Sequence, residues 1–320
     1  MSLHKEISFE TEICEHLASH GWLYAENDAA NYDRTRALFP ADVLAWVQAT
    51  QPKAWEILTK NHGAQAGETL LARLRDQLDQ RGTLDVLRHG IELLGLKAPL
   101  MLAQFKPALA INPDILARYA ANRLRVVRQL RYSLHNENSI DLGLFLNGLP
   151  VVTAELKTDF TQSIGDAIDQ YRFDRNPKPK GQAAEPLLSF PNGALVHFAV
   201  SNSEVHMVTK LAGPATVFLP FNLGNDGAAG NPPSPLTPDG TTSHSTKPAS
   251  GQVAGYPRGR GSKRIAARVS CKQCAQRGSR PFFYKFFFTE FDDGGNYCKH
   301  GQGTARGNRP RHDGMQEGAG

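Results

Sequence analysis

Apolar residues near the amino terminus recur every three or four positions. Phe9, Ile13 and Leu17 follow this spacing with Cys14 beside them, Glu10, Glu12 and Glu15 fall on the polar side, and Gly21 follows as a stop. The pattern predicts an amphipathic helix over about 8–19. The same period returns from about Ala41 to Leu94, through Val43, Leu44, Trp46 and Val47, then Trp55, Ile57 and Leu58, then Leu70, Leu71, Leu74 and Leu78, and finally Leu84, Leu87, Ile91 and Leu94. A further helix at about Pro113–Asn122 completes a helical insertion over about 41–122.

The period then changes. Arg123–Ser133, RLRVVRQLRYS, has the β-branched and aromatic content of a strand. Ile140, Leu142, Leu144 and Leu146 alternate, Asn147-Gly148 is a strong hairpin signal, and Val151, Val152 and Thr153 resume the strand. A helix is predicted at Ser163–Arg172 and two more strands at Ala194–Ser201 and Glu204–Thr209. This succession makes an α/β domain on a mixed sheet.

Beyond Gly224 the composition shifts. Residues 231–320 hold 14 Gly and 8 Pro, with 14 basic residues against 6 acidic, whereas the first 230 carry 22 basic and 25 acidic. The net charge of +5 therefore sits in the tail and says nothing of the rest. The tail is expected to be largely unstructured. Four cysteines in 320 residues do not make a disulfide framework, which fits a reducing, cytoplasmic setting. The opening MSLHKEISFETEICEHL lacks the apolar core of a signal peptide, and no run reaches the length of a membrane span, so no membrane partner is expected.

The sharpest chemical feature is Asp141 followed by Glu155-Leu156-Lys157 across the predicted hairpin. Two converging carboxylates suit a divalent metal held through oxygen, and a Lys two positions on falls on the same strand face. Such a set suits metal-assisted phosphodiester hydrolysis, with the ammonium of Lys157 orienting the nucleophile or offsetting developing charge. The alternative is a solvated strand face, yet apolar residues on both sides of Ile140–Leu142 and Val151–Val152 favour a strand covered twice. Geometry sets a condition. With a two-residue turn, Leu146 opposes Leu149 and Asp141 opposes Ala154, which leaves the carboxylates on opposite faces. Convergence requires a three-residue loop over Asn147–Leu149 or a bulge between Asp141 and Glu155.

The stretches RLRVVRQLRYS, NSIDLGLFLNGLPVVTAELKTDFTQSIGDAIDQYRFDRNP, EPLLSF, LVHFAVSNSEVHMVTKL and FLPFNLGNDGAAGNPP, in this order, resemble the amino-terminal nuclease domain of the restriction (motor) subunit of type I restriction–modification enzymes. FETEICEHLASHGW resembles the opening helix, so the likeness spans about residues 1–235 and leaves 236–320 as a basic tail. It implies a restriction-endonuclease-like PD-(D/E)xK fold, a mixed sheet flanked by helices, acting as a Mg²⁺-dependent endonuclease on double-stranded DNA. It also implies modification and specificity subunits as partners, in a bacterial or archaeal cytoplasm. Position by position, it makes Asp141 and Glu155 the Mg²⁺ ligands and Lys157 the catalytic lysine. Glu10 is an extra acidic candidate, with Glu12 competing and a solvated helix face the expected role of either. Gln170 and Tyr171 correspond to a Gln…Tyr element near the DNA, although they are adjacent here, and Gln162 competes for the Gln.

No G-x-x-x-x-G-K-[ST] occurs, so the ATP-driven motor of the family is not expected in this chain. The departure at about Ser234–Pro238 is what a truncated or frameshifted gene, or a short natural variant, produces. Two other readings stand beside the nuclease: a noncatalytic remnant that binds DNA or the partner subunits, and a zinc module on Cys271, Cys274, Cys298 and His300. His197 and His206 fall within strand patterns and are expected to be packed, without a catalytic role.

Overall fold

The computed structural model describes residues 2–158, 163–202 and 204–221. The Gly/Pro-rich tail, the cysteines of the zinc reading and Gln162 lie outside the described residues.

The chain opens with α1 (Ser2–Ser19), whose Phe9, Ile13, Cys14 and Leu17 are buried as their spacing requires. The insertion follows as α2 (Pro40–Thr50), α3 (Pro52–His62), α4 (Ala66–Arg81), α5 (Thr83–His89) and α6 (Pro113–Ala120). Proline begins α2, α3 and α6, where its fixed φ suits the first turn and its missing N–H costs nothing. At α6 the Asn112 side chain also accepts from the Asp114 and Ile115 N–H groups.

Six strands form one sheet in sequence order: β1 (Leu124–Arg131), β2 (Ser139–Leu146), β3 (Leu149–Leu156), β4 (Val196–Val200), β5 (Val205–Val208) and β6 (Leu219–Pro220). Only the β3–β4 pair is parallel, so the sheet is mixed. The segment between β3 and β4 contains α7 (Ile164–Asp169), opened by a Ser163/Asp166 capping box. A π-helical turn over Gln170–Asp174 continues it. The sequence predicts an ordinary helix to Arg172; the wider turn instead ends the element and rotates the next residues around the helix axis. The two-residue β6 has no sequence signal.

Helices cover one face of the sheet and a mixed helix-and-loop layer covers the other. On the first, α1 and the insertion pack over Leu142, Leu144, Val152, Ala154, Leu156 and Phe198. On the second, Tyr32, Phe39, Tyr171, Leu187 and Phe218 pack over Leu130, Ile140, Phe145 and Ala199. Every residue of β3 is buried, as a central strand covered twice must be. Ile140 does not share a face with Leu142 as strict alternation predicts. Arg128 pairs with Leu142 and Leu130 with Ile140, and at the intervening step of Gln129 and Asp141 both strands invert.

Two polar clusters tie the insertion to the sheet. Asp42 of α2 is buried and accepts from Arg123 Nε at 2.9 Å and Arg125 Nε at 2.6 Å. Burial alone would raise its carboxyl, but the two guanidinium hydrogen bonds outweigh that and hold it below the usual range. The buried Asn147 amide donates to the Leu102 carbonyl and to Asn122 Oδ1, each at 2.9 Å, and its Oδ1 accepts the Arg123 N–H at 2.6 Å. Among the described residues, no helix is long and apolar enough to cross a membrane.

Candidate active site

The site is built by a hairpin with an irregular arm. Asn147 and Gly148 both take positive φ, 49° and 82°, in a two-residue turn with Leu146 paired to Leu149. A side chain on Gly148 would overlap the Phe39 carbonyl at the start of α2, and the Gly148 carbonyl accepts the Phe39 N–H at 2.9 Å. Beyond the turn the register shifts. Phe145 pairs with Pro150 but Leu144 pairs with Val152, so Val151 is an extra residue on β3. Of the two devices the sequence leaves open, the bulge is the one present. Leu142 then pairs with Ala154, which brings Asp141 opposite Glu155.

Asp141 Oδ2 accepts the Leu156 N–H at 2.7 Å, which seats the carboxylate on the backbone of β3 beside Glu155. Glu155 is fully buried. Its Oε1 accepts from Arg175 Nε at 2.6 Å, whereas its Oε2 is buried with no hydrogen-bond donor against it. Burial, and then the charge of Asp141, push the Glu155 carboxyl well above the usual carboxylate range, and Arg175 pulls the other way. The 2.6 Å contact has the geometry of a strong, charge-assisted hydrogen bond.

Lys157 stands buried just past the end of β3, with its N–H on the Val200 carbonyl of β4 at 2.8 Å. Its ammonium reaches α7 electrostatically: Asp166, held low first by the Ser163 N–H and hydroxyl, is lowered further by Lys157.

Glu10 does not lie on a solvated helix face. It is 4% exposed, whereas Glu12 is exposed, so the two candidates on α1 are separated by burial. Glu10 Oε1 accepts from Gln129 Nε2 at 2.9 Å, and the same nitrogen donates to Asp141 Oδ1 at 3.1 Å. Gln170 opens the π-helical turn with its Oε1 buried and without a hydrogen-bond partner. Tyr171 is fully buried; its hydroxyl meets Thr153 Oγ1 at 2.9 Å, and Thr153 Oγ1 meets His197 Nδ1 at 2.7 Å. Tyr171 therefore braces β3 from within the second core. Burial lowers His197 to about 3, so it is a neutral packed imidazole.

Three residues that complete this arrangement were not singled out from sequence. Gln129 could have been found by counting, because it is the β1 residue opposite Asp141. Thr153 is two positions before Glu155 and shares its face. Arg175 carries no local signal, since only the π-helical turn aims it at Glu155.

The donors are hard oxygens of Asp141 and Glu155, and Glu155 Oε2 is buried without a donor on it. That set fits Mg²⁺, which takes one or two carboxylates and keeps several waters. Among the described residues, no three His, Cys, Asp or Glu side chains cluster as a complete metal cage.

No curated protein matches the sequence. The family model of the type I restriction enzyme R protein N terminus matches residues 5–216, which include Glu10, Asp141, Glu155, Lys157, Gln170 and Tyr171. With about two thirds of the chain matched, it belongs to the family of type I restriction enzyme R protein N-terminal regions.

Proposed function

We propose that this chain is a Mg²⁺-dependent DNA endonuclease unit that hydrolyses phosphodiesters of double-stranded DNA. The observation that carries the reading is the bulge at Val151, which sets Asp141 against a Glu155 whose second oxygen is buried without a donor. Asp141 and Glu155 would hold the cation, with Glu10 close by through Gln129. When bound, the metal supplies Lewis-acid polarisation of the phosphate and a more acidic water. Lys157 places a positive charge at the strand end, where it orients the attacking water or offsets charge on the phosphoryl oxygens. Arg175 holds Glu155 Oε1 and orients the carboxyl within its buried site. The Tyr171, Thr153 and His197 chain holds β3 rigid beneath them. Family membership implies DNA and complex partners in general; we assign the modification and specificity subunits as those partners and the cytoplasm as the setting.

Nicking of supercoiled plasmid at low salt tests the reading, with Mg²⁺, with EDTA and with Lys157→Ala. Mg²⁺-dependent nicking that the substitution removes is the expected result. A folded chain that neither nicks nor binds Mg²⁺ would leave the noncatalytic remnant as the better reading.

A further inference from the structure

Gln129 is the described non-glycine residue that takes positive φ, 48°, inside a strand; the other two, Ala37 and Asn147, lie in connections. Such a conformation is unfavourable for a side chain with a Cβ and persists where surrounding contacts over-determine it. The contacts here are specific. Both protons of the Gln129 amide are used, toward Glu10 Oε1 at 2.9 Å and Asp141 Oδ1 at 3.1 Å, and its carbonyl accepts from Ser139 Oγ at 2.9 Å. The reverse amide orientation would set a carbonyl against two carboxylates, so chemistry fixes the assignment. Glu10 comes from α1, where Arg128 of β1 pairs with its other oxygen at 3.5 Å, and Asp141 comes from β2; like charges repel, and the Gln129 amide is the group that touches both carboxylates. The inversion of both strands at this step points the amide into that gap.

Resting on the metal-site reading above, we infer that Gln129 is a positioning residue: its amide clamps Glu10 to Asp141 and thereby sets how tightly the site takes a divalent cation. The left-handed backbone aims the amide, and the amide holds Glu10 beside Asp141 before any cation arrives, so binding needs no reorganisation of α1 against β2.

Mn²⁺ affinity of the full chain, followed by electron paramagnetic resonance, tests this with thermal unfolding alongside. Gln129→Gly relaxes the positive φ and removes the amide; Gln129→Asn tolerates the same φ but withdraws the amide by one methylene. Relief of the left-handed backbone offsets the two lost hydrogen bonds, so both are expected to melt close to the wild type while weakening Mn²⁺ by roughly tenfold, as loss of an outer partner does at a metal site. Glu10→Gln should weaken Mn²⁺ similarly, and Glu10→Gln with Gln129→Gly should be no weaker than either alone. Wild-type affinity in both Gln129 variants, or losses that multiply in the double variant, would overturn the clamp while Asp141→Asn still abolishes binding. Unchanged Mn²⁺ affinity in Asp141→Asn would instead overturn the metal reading, and the clamp with it.

Discussion

The two oxygens of Glu155 have unlike partners: Oε1 accepts from Arg175 Nε at 2.6 Å, and Oε2 is buried with no donor. One oxygen is thus held by the protein and the other is left without a donor. Removing Arg175 leaves a buried carboxylate with no partner, and Arg175→Ala is expected to cost about 3–5 kcal/mol of folding free energy. Urea unfolding measures it. Glu155→Gln added to Arg175→Ala should recover most of the loss, because the uncompensated charge is gone; no recovery would mean that Arg175 acts through packing alone.

Asp42 links stability to pH. Its folded-state carboxyl lies below the ordinary 3.8, so the stabilisation it provides is complete above that value and is lost as pH falls through the lowered one. Asp42→Asn should therefore be less stable than wild type near neutral pH, by about 3 kcal/mol. The gap should close in acid below the ordinary value. Thermal unfolding of both proteins from pH 7 downward checks the sign, which is reversed if Asp42 is protonated in the native state.

The hairpin turn tolerates no side chain at Gly148. Its φ is 82° and a Cβ would meet the Phe39 carbonyl, so Gly148→Ala is expected to destabilise by more than about 1 kcal/mol. Gly181, also at positive φ but with open space around it, is the control: its Ala variant should lose less. Equal losses in chemical denaturation would show that strain, and not the contact with α2, decides the turn.

Thr153 joins two buried partners, the Tyr171 hydroxyl and His197 Nδ1. Thr153→Val keeps the shape and strands both, at about 1–3 kcal/mol for each unsatisfied group. With His197 lowered to about 3, its imidazole resonances in nuclear magnetic resonance should not titrate between pH 5 and 8. A His197 midpoint near 6.5 would contradict the burial that holds it neutral.

The helices and principal strands were legible because each follows one hydrophobic period, as Phe9, Ile13 and Leu17 do on α1 and Leu142 and Leu144 do on β2. The need for a bulge was legible too, since two carboxylates fourteen residues apart across a two-residue turn cannot share a face. Its location at Val151 was not, because packing of Val151 and Val152 on the same side decides it. Gln129 was hidden for a similar reason: its left-handed φ arises where two strands invert together, and strand content alone carries no trace of that. Glu10 sits in a polar stripe, and only the approach of β1 buries it. Arg175 depends on a π-helical turn that has no periodic signature.

The Asn147 side chain grips Leu102 in the connection between α5 and α6, Asn122 at the end of the insertion and Arg123 just before β1, and through its own backbone the hairpin. The insertion and the hairpin that aligns the two carboxylates consequently open and close together, as one cooperative unit, so amides of α2 and of β2 and β3 should exchange with solvent at a common free energy. The helical insertion is then part of what keeps the register of the site, and loosening it at Leu102 or Asn122 would reach Asp141 and Glu155 without touching either.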